Sequence, residues 1–194
     1  MIADEIARIS PVTLASRSPQ RRAILTQLGI DFVVSEPRYE EHDPPGSTPA
    51  GLVVAHAVGK ARSVEGAHVL GVDTTVAVDG MSLGKPASRG EARGMLRRLS
   101  GRTHVVHSGL CLRVGAAEHL RLCSTEVEFW ALDVADLDWY IEAGEWEGRA
   151  GGYAVQGRGA ALVRRIAGDY TNVVGLPVSA LLEAMAEAQH APGC

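Results

Sequence analysis

The chain has 194 residues, enough for one large domain with a substantial core. Hydrophobic residues make up 46% and charged residues 22%, a globular balance that excludes a disordered chain. The net charge of −4 provides no basic field for a nucleic-acid polymer or a membrane surface, so a polyanionic ligand must be met by a local group of cations.

Residues 1–11 carry Asp4, Glu5 and Arg8 and no long apolar run, which excludes a signal peptide or anchor there. No stretch reaches the roughly 20 apolar residues of a membrane span. Cys111, Cys123 and Cys194 lack metal-ligand spacing and are expected as free thiols in a reducing cytoplasm.

In chain order, residues 12–15 read as a short apolar strand. Ser18-Pro19 then starts a helix, with Ser18 as N-cap and Pro19 at the first helical position. Ala23, Ile24 and Leu28 share one face of it, and Gly29 ends it. Residues 31–35 alternate like a strand. Residues 37–49 are polar and proline-rich, a long loop of the kind that often carries function. Thr48-Pro49 opens a second helix reaching about Glu65.

Residues 68–72 and 75–78 are apolar runs, and Asp79-Gly80 signals a hairpin turn. Ser88 and Glu91 read as a capping box for a helix to Leu99, stopped by Ser100-Gly101. Residues 103–114 and 119–130 read as two long strands joined at Gly115. Asp133 caps a helix through Ala143. Glycines crowd residues 144–159, where the backbone must turn or approach something closely. Residues 161–166 read as a strand and 177–189 as a closing helix. Alternating strands and helices predict an α/β chain with a mixed sheet.

Several segments offer chemistry. Ser16-Arg17-Ser18-Pro19-Gln20-Arg21-Arg22 lies at a strand-to-helix junction, where unpaired N–H groups favour an anion. Its hydroxyls add donors and its arginines add forked cations suited to phosphate. A capped surface helix with solvated arginines is the equal alternative. Asp73, between two apolar runs, is placed to bind a hard cation or take a proton from water, or else is a turn aspartate. Gly84-Lys85-Pro86 offers a point charge to phosphate. Lys60 and the Glu40-Glu41 pair carry weaker signals of the same kind. Gln156, amid the many small residues of the segment from Arg149 to Gly157, suits a close-fitting base pocket or an irregular loop. His42, His56, His68, His107 and His119 lack ligand spacing, and Trp130, Trp139 and Trp146 read as packing residues.

The order of these segments resembles the Maf family of nucleotide pyrophosphatases, from Leu14 to about Leu182. Leu14-Ala15-Ser16-Arg17-Ser18-Pro19 resembles the family's LASxSPRR opening. Val72-Asp73-Thr74-Thr75-Val76 resembles its DTxV, and Gly84-Lys85-Pro86 its GKP. Leu99-Ser100-Gly101-Arg102-Thr103-His104 resembles LSGxxH. Residues 150–157 resemble AGxYxIQG, and residues 172–177 resemble NVxGLP.

The resemblance implies an elongated mixed β-sheet flanked by helices. Residues 1–189 would form a single domain in two lobes with a central cleft, and residues 190–194 a flexible tail. It implies hydrolysis of nucleoside triphosphates to monophosphate and pyrophosphate, with a divalent cation (Mg2+ or Mn2+), often in a homodimer. A nucleotide-binding regulator of cell division with little catalysis is the alternative. By position, Asp73 is the catalytic acid/base. Ser16, Arg21, Lys60 and Lys85 surround the phosphates, and Glu41 with Asp73 holds the metal. Gln20, Thr74 and Gln156 fall on three positions that separate base preferences. Thr74 and Gln156 match the subtype acting on dTTP and UTP, whereas Gln20 stands where that subtype has arginine. Arg149 stands where the family often has lysine.

Overall fold

The computed structural model describes residues 2–190. The strands are β1 (Val12–Ala15), β2 (Phe32–Ser35), β3 (His68–Val78), β4 (Met81–Leu83), β5 (Thr103–Val114), β6 (Ala117–Phe129) and β7 (Val163–Ala167). They form one sheet in the order β2-β1-β3-β5-β6-β7, with β4 also paired to β3. β1 lies parallel to β2 and β3, and the remaining pairs are antiparallel. The sheet is therefore mixed, as the alternation of elements predicts.

The helices are α1 (Ile2–Ile9), α2 (Pro19–Gln27), α3 (Pro49–Arg62), α4 (Arg89–Leu99), α5 (Val134–Glu142), α6 (Tyr170–Val174) and α7 (Val178–His190). Their starts are set by local chemistry. Ser18, Thr48 and Ser88 each accept an N–H of the first turn, and Pro19 and Pro49 open their helices. Asp133 and Asp136 form a reciprocal capping box on α5. On α4 the box is only half made: the Glu91 carboxylate accepts from Ala87 N–H rather than from the cap residue.

The structure departs from the sequence reading in several places. α1 and α6 are additional to the expected elements, and the 157–162 stretch is a 3-10 turn that delays β7 to Val163. The buried face of α2 is Arg21, Ile24 and Leu25, while Ala23 is exposed. His190 belongs to α7, and the rest of the expected tail, residues 191–194, lies outside the described residues.

The largest departure concerns β3. The two apolar runs are one continuous strand, with Asp73 and Thr74 inside it. The ladder with β5 runs unbroken from His68 to Ala77, which holds the polar residues in extended backbone. On its other edge, β3 pairs with β1 only through Gly71 and with β4 only from Val76. Residues 72–75 thus face a gap in the sheet, between the carboxyl end of β1 and the end of β4. A strand end at such a switch in pairing is where open α/β sheets bind ligands.

Side chains alternate across the sheet. Val69 and Gly71 face α3, in a core with Ala57, Ala61 and Cys111. Leu70 and Val72 face the other way, in a core with Leu14, Leu25, Leu110, Leu181 and Met185. Beyond the gap, Val76 and Val78 enter a separate core with Leu96, Val106, Phe129 and Tyr140. Between these last two cores lies a polar pair: Thr74 and Ser108 are register partners, and their hydroxyls hydrogen-bond at 2.8 Å. The apolar interior is thus divided at the residue next to Asp73.

Candidate active site

At the gap the sheet opens into a cleft of about 710 Å³, within the range of small-molecule sites. Ser16, Gln20, Arg21, Glu41, Lys60, Asp73, Thr74, Lys85 and Gln156 all line it. So does Arg149, from the glycine-rich candidate segment, and so do Tyr39, Asp43 and His56, none of which the sequence reading placed in a site.

On the α3 face, two glycines set the geometry. A Cβ at Gly71 would lie 2.1 Å from the Ala57 carbonyl oxygen, and one at Gly109 would lie 2.1 Å from that of Val53. Glycine at both positions lets α3 press directly on β3 and β5, which brings Lys60 over Asp73. The Lys60 ammonium donates to Asp73 Oδ1 at 2.6 Å and pairs with Glu41 Oε1 at 2.7 Å. Burial pushes the Glu41 carboxyl up, but the Lys60 hydrogen bond and charge, helped by His56 and Lys85, hold it below its ordinary value overall.

The opposite face is built differently. Arg21, on the first turn of α2, is buried. Its Nε donates to the Gly175 carbonyl at 2.9 Å, Nη1 to Ser16 Oγ at 2.9 Å and Nη2 to Thr74 Oγ1 at 3.2 Å. All three acceptors are neutral, and among the described residues no carboxylate pairs with it. Burial pulls the guanidinium below its ordinary value, opposed by the charges of Asp73 and Glu41. A guanidinium has five N–H donors, so two remain for a ligand. A buried cation without a paired anion is costly unless an anion arrives.

The remaining walls come from loops. Lys85 is exposed after β4 and, among the described residues, has no hydrogen bond or ion pair. A Gly151 N–H to Gly84 carbonyl bond of 3.0 Å ties its loop to the glycine-rich segment. Gln156 precedes the 3-10 turn, and its exposed side chain makes no capping bond. Its loop is anchored on both sides: Tyr140 Oη accepts from Ala154 N–H at 3.0 Å, and the Glu145 carboxylate accepts from the Arg158 and Gly159 N–H groups. Gln20 Oε1 accepts from Ser18 Oγ at 3.2 Å. Thr74 Oγ1 is committed to Arg21 and Ser108.

Glu41 and Asp73 suit a magnesium-like ion, which takes one or two carboxylates and completes its shell with water and phosphate. Each meets Lys60 through one oxygen, and among the described residues the other oxygen accepts no hydrogen bond. No group of three or more His, Cys, Asp or Glu among the described residues forms an all-protein cage. No helix of the described residues is long and apolar enough to cross a membrane.

Most of the chain is similar in sequence to known proteins. A dTTP/UTP pyrophosphatase of Symbiobacterium thermophilum is 50% identical over 169 residues, covering 85% of this chain and 87% of the relative. One from Pelotomaculum thermopropionicum is 44% identical over 178 residues, covering 89% and 93%. One from Thermus thermophilus is 44% identical over 169 residues, covering 87% and 90%. The sequence profile of the Maf family, described as Maf-like protein, matches residues 11–188. The chain therefore belongs to the Maf family.

Proposed function

We propose that this chain is a nucleoside triphosphate pyrophosphatase, releasing a nucleoside monophosphate and pyrophosphate, with dTTP and UTP as preferred substrates. The observation that carries the reading is the pairing of two unlike groups at one gap in the sheet. A buried, anion-seeking Arg21 stands on one face of β3, and a Lys60-held pair of carboxylates stands on the other.

In this reading the triphosphate lies across the gap, its oxygens met by Ser16, Arg21, Lys60 and Lys85. Asp73 takes the proton of a water as that water's oxygen bonds to the α-phosphorus. The bond from the α-phosphorus to its bridging oxygen breaks, and pyrophosphate leaves with its charge held by the same cations. Glu41 and Asp73 would hold magnesium or manganese, which when bound neutralises phosphate charge. Lys60 holds one Asp73 oxygen and leaves the other for the water.

Gln156 faces the base, since an amide both donates and accepts, as a pyrimidine edge requires. Thr74 serves base choice by fixing Arg21, because its hydroxyl is already committed. The pyrimidine preference is supported by Thr74 and Gln156 and by the dTTP/UTP pyrophosphatases among the relatives. Residues 1–189 act as one domain whose two lobes meet at the Thr74–Ser108 pair, working in the cytoplasm on free nucleotides.

The test is pyrophosphate release across a nucleotide panel with magnesium or manganese. Monophosphate and pyrophosphate in equal amounts, fastest from dTTP and UTP, are expected. Tight nucleotide binding without product would overturn the enzyme reading in favour of a regulator.

A further inference from the structure

Residues 36–48 form no helix or strand, yet they run in a defined path along α3, from its C-terminal end to its start. The contacts follow one stripe of the helix. Arg38 N–H donates to Ser63 Oγ at 3.2 Å. The Tyr39 ring lies over Gly59, where a Cβ would stand 2.3 Å from it. Glu41 meets Lys60, and Asp43 meets His56. Thr48 then caps the helix. On α3 these partners are spaced i, i+3, i+4 and i+7, a single face. On the loop, Tyr39, Glu41 and Asp43 are alternate residues, turned the same way.

His56 takes two of the three loop side chains. Its ring is buried, with Nε2 2.9 Å from Asp43 Oδ1 and Nδ1 3.1 Å from Tyr39 Oη. A carboxylate only accepts, so Nε2 carries a proton, and in the neutral ring Nδ1 accepts from the tyrosine hydroxyl. The two bonds flank Glu41 on either side along the chain. Glu41 itself is half exposed and has Lys60 as its ion-pair partner.

We infer that His56 is a positioning residue: by gripping Tyr39 and Asp43 it clamps the 36–48 loop onto α3 and so sets the Glu41 carboxylate against Lys60 and Asp73. The inference rests on the proposed role of Glu41 in the active site. It assigns work to a residue one helical turn before Lys60 that spacing alone leaves looking ordinary.

The test uses the full chain, without nucleotide or metal for its first arm. Limited trypsin cleavage at Arg38, identified by fragment mass, reports opening of the loop. His56→Ala should speed that cleavage about tenfold, as loss of two hydrogen bonds implies. Tyr39→Phe and Asp43→Ala, which keep the helix intact, should each speed it by a smaller factor. The second arm measures turnover in a double-mutant cycle with Glu41→Ala. His56→Ala should lower kcat about tenfold in the parent chain and hardly at all beside Glu41→Ala, with KM for the nucleotide little changed in either.

Cleavage unchanged in all three variants would overturn the clamp. So would equal kcat losses with and without Glu41. If the parent chain releases no pyrophosphate from any nucleotide, the proposed function fails instead, and the cleavage arm alone decides whether the clamp exists.

Discussion

Asp73 and Thr74 are neighbours in sequence, but they look out on two different chemical worlds. On the α3 side, Asp73 sits in a compensated cluster, one ammonium between two carboxylates, roofed by a polar loop. On the α2 side, Thr74 helps hold a buried guanidinium whose protein partners are all neutral. The first arrangement is suited to moving a proton beside a metal; the second is suited to gripping an anion. Strand alternation separates the two tasks by a single residue, and the gap between β1 and β4 lets one ligand reach both.

The comparison is broken most severely at Asp73. Asp73→Asn keeps an oxygen for Lys60 and should leave thermal unfolding nearly unchanged, while turnover falls by about 10²- to 10⁴-fold. A variant within a few-fold of the parent would remove the proton-moving role from the α3 side. On the other side, Arg21→Met should act on binding. Net loss of one charge-assisted hydrogen bond, about 1.5–3 kcal/mol, predicts roughly 10- to 100-fold weaker affinity for a non-hydrolysable nucleotide by calorimetry. Unchanged affinity would mean that the buried guanidinium only braces the Gly175 turn.

A smaller effect is expected at the divide. Ser108→Ala removes one hydroxyl partner of Thr74 and should cost about 1 kcal/mol in unfolding free energy, with a few-fold loss in affinity at most. The smallest effect concerns pH. Lys60 and its neighbours hold the Glu41 carboxyl below its ordinary 4.5, so the stability from this contact is present above that value. It is lost only as pH falls through the lowered value. A carbon-13 titration of Glu41 should therefore show a midpoint below 4.5. A midpoint at or above 4.5 would mean that Lys60 does not grip it in solution.

Helix starts were readable because caps are local: Ser18, Thr48 and Asp133 each act within three residues of their own backbone. The long strands were readable from their apolar runs. β3 read as two pieces because Asp73-Thr74 looks like an interruption, and only the unbroken β5 ladder shows that it is not. α6 has five residues, too few to show a period. The burial of Arg21 ran against the usual exposure of arginine, and its acceptors Thr74 and Gly175 lie far along the chain. The grouping of the site residues came from the order of family segments rather than from any one of them. Tyr39, Asp43 and His56 carried no signal of that kind, because their link depends on how the loop lies on α3.

The most direct test is a crystal structure with dTTP carrying a methylene bridge between its α- and β-phosphorus atoms. The account predicts the phosphate chain in the sheet gap, with oxygens within hydrogen-bond distance of Arg21 on one side and Lys60 on the other, and the α-phosphorus toward Asp73. A nucleotide bound with its phosphates in contact with only one of these faces, or outside the gap altogether, would contradict it.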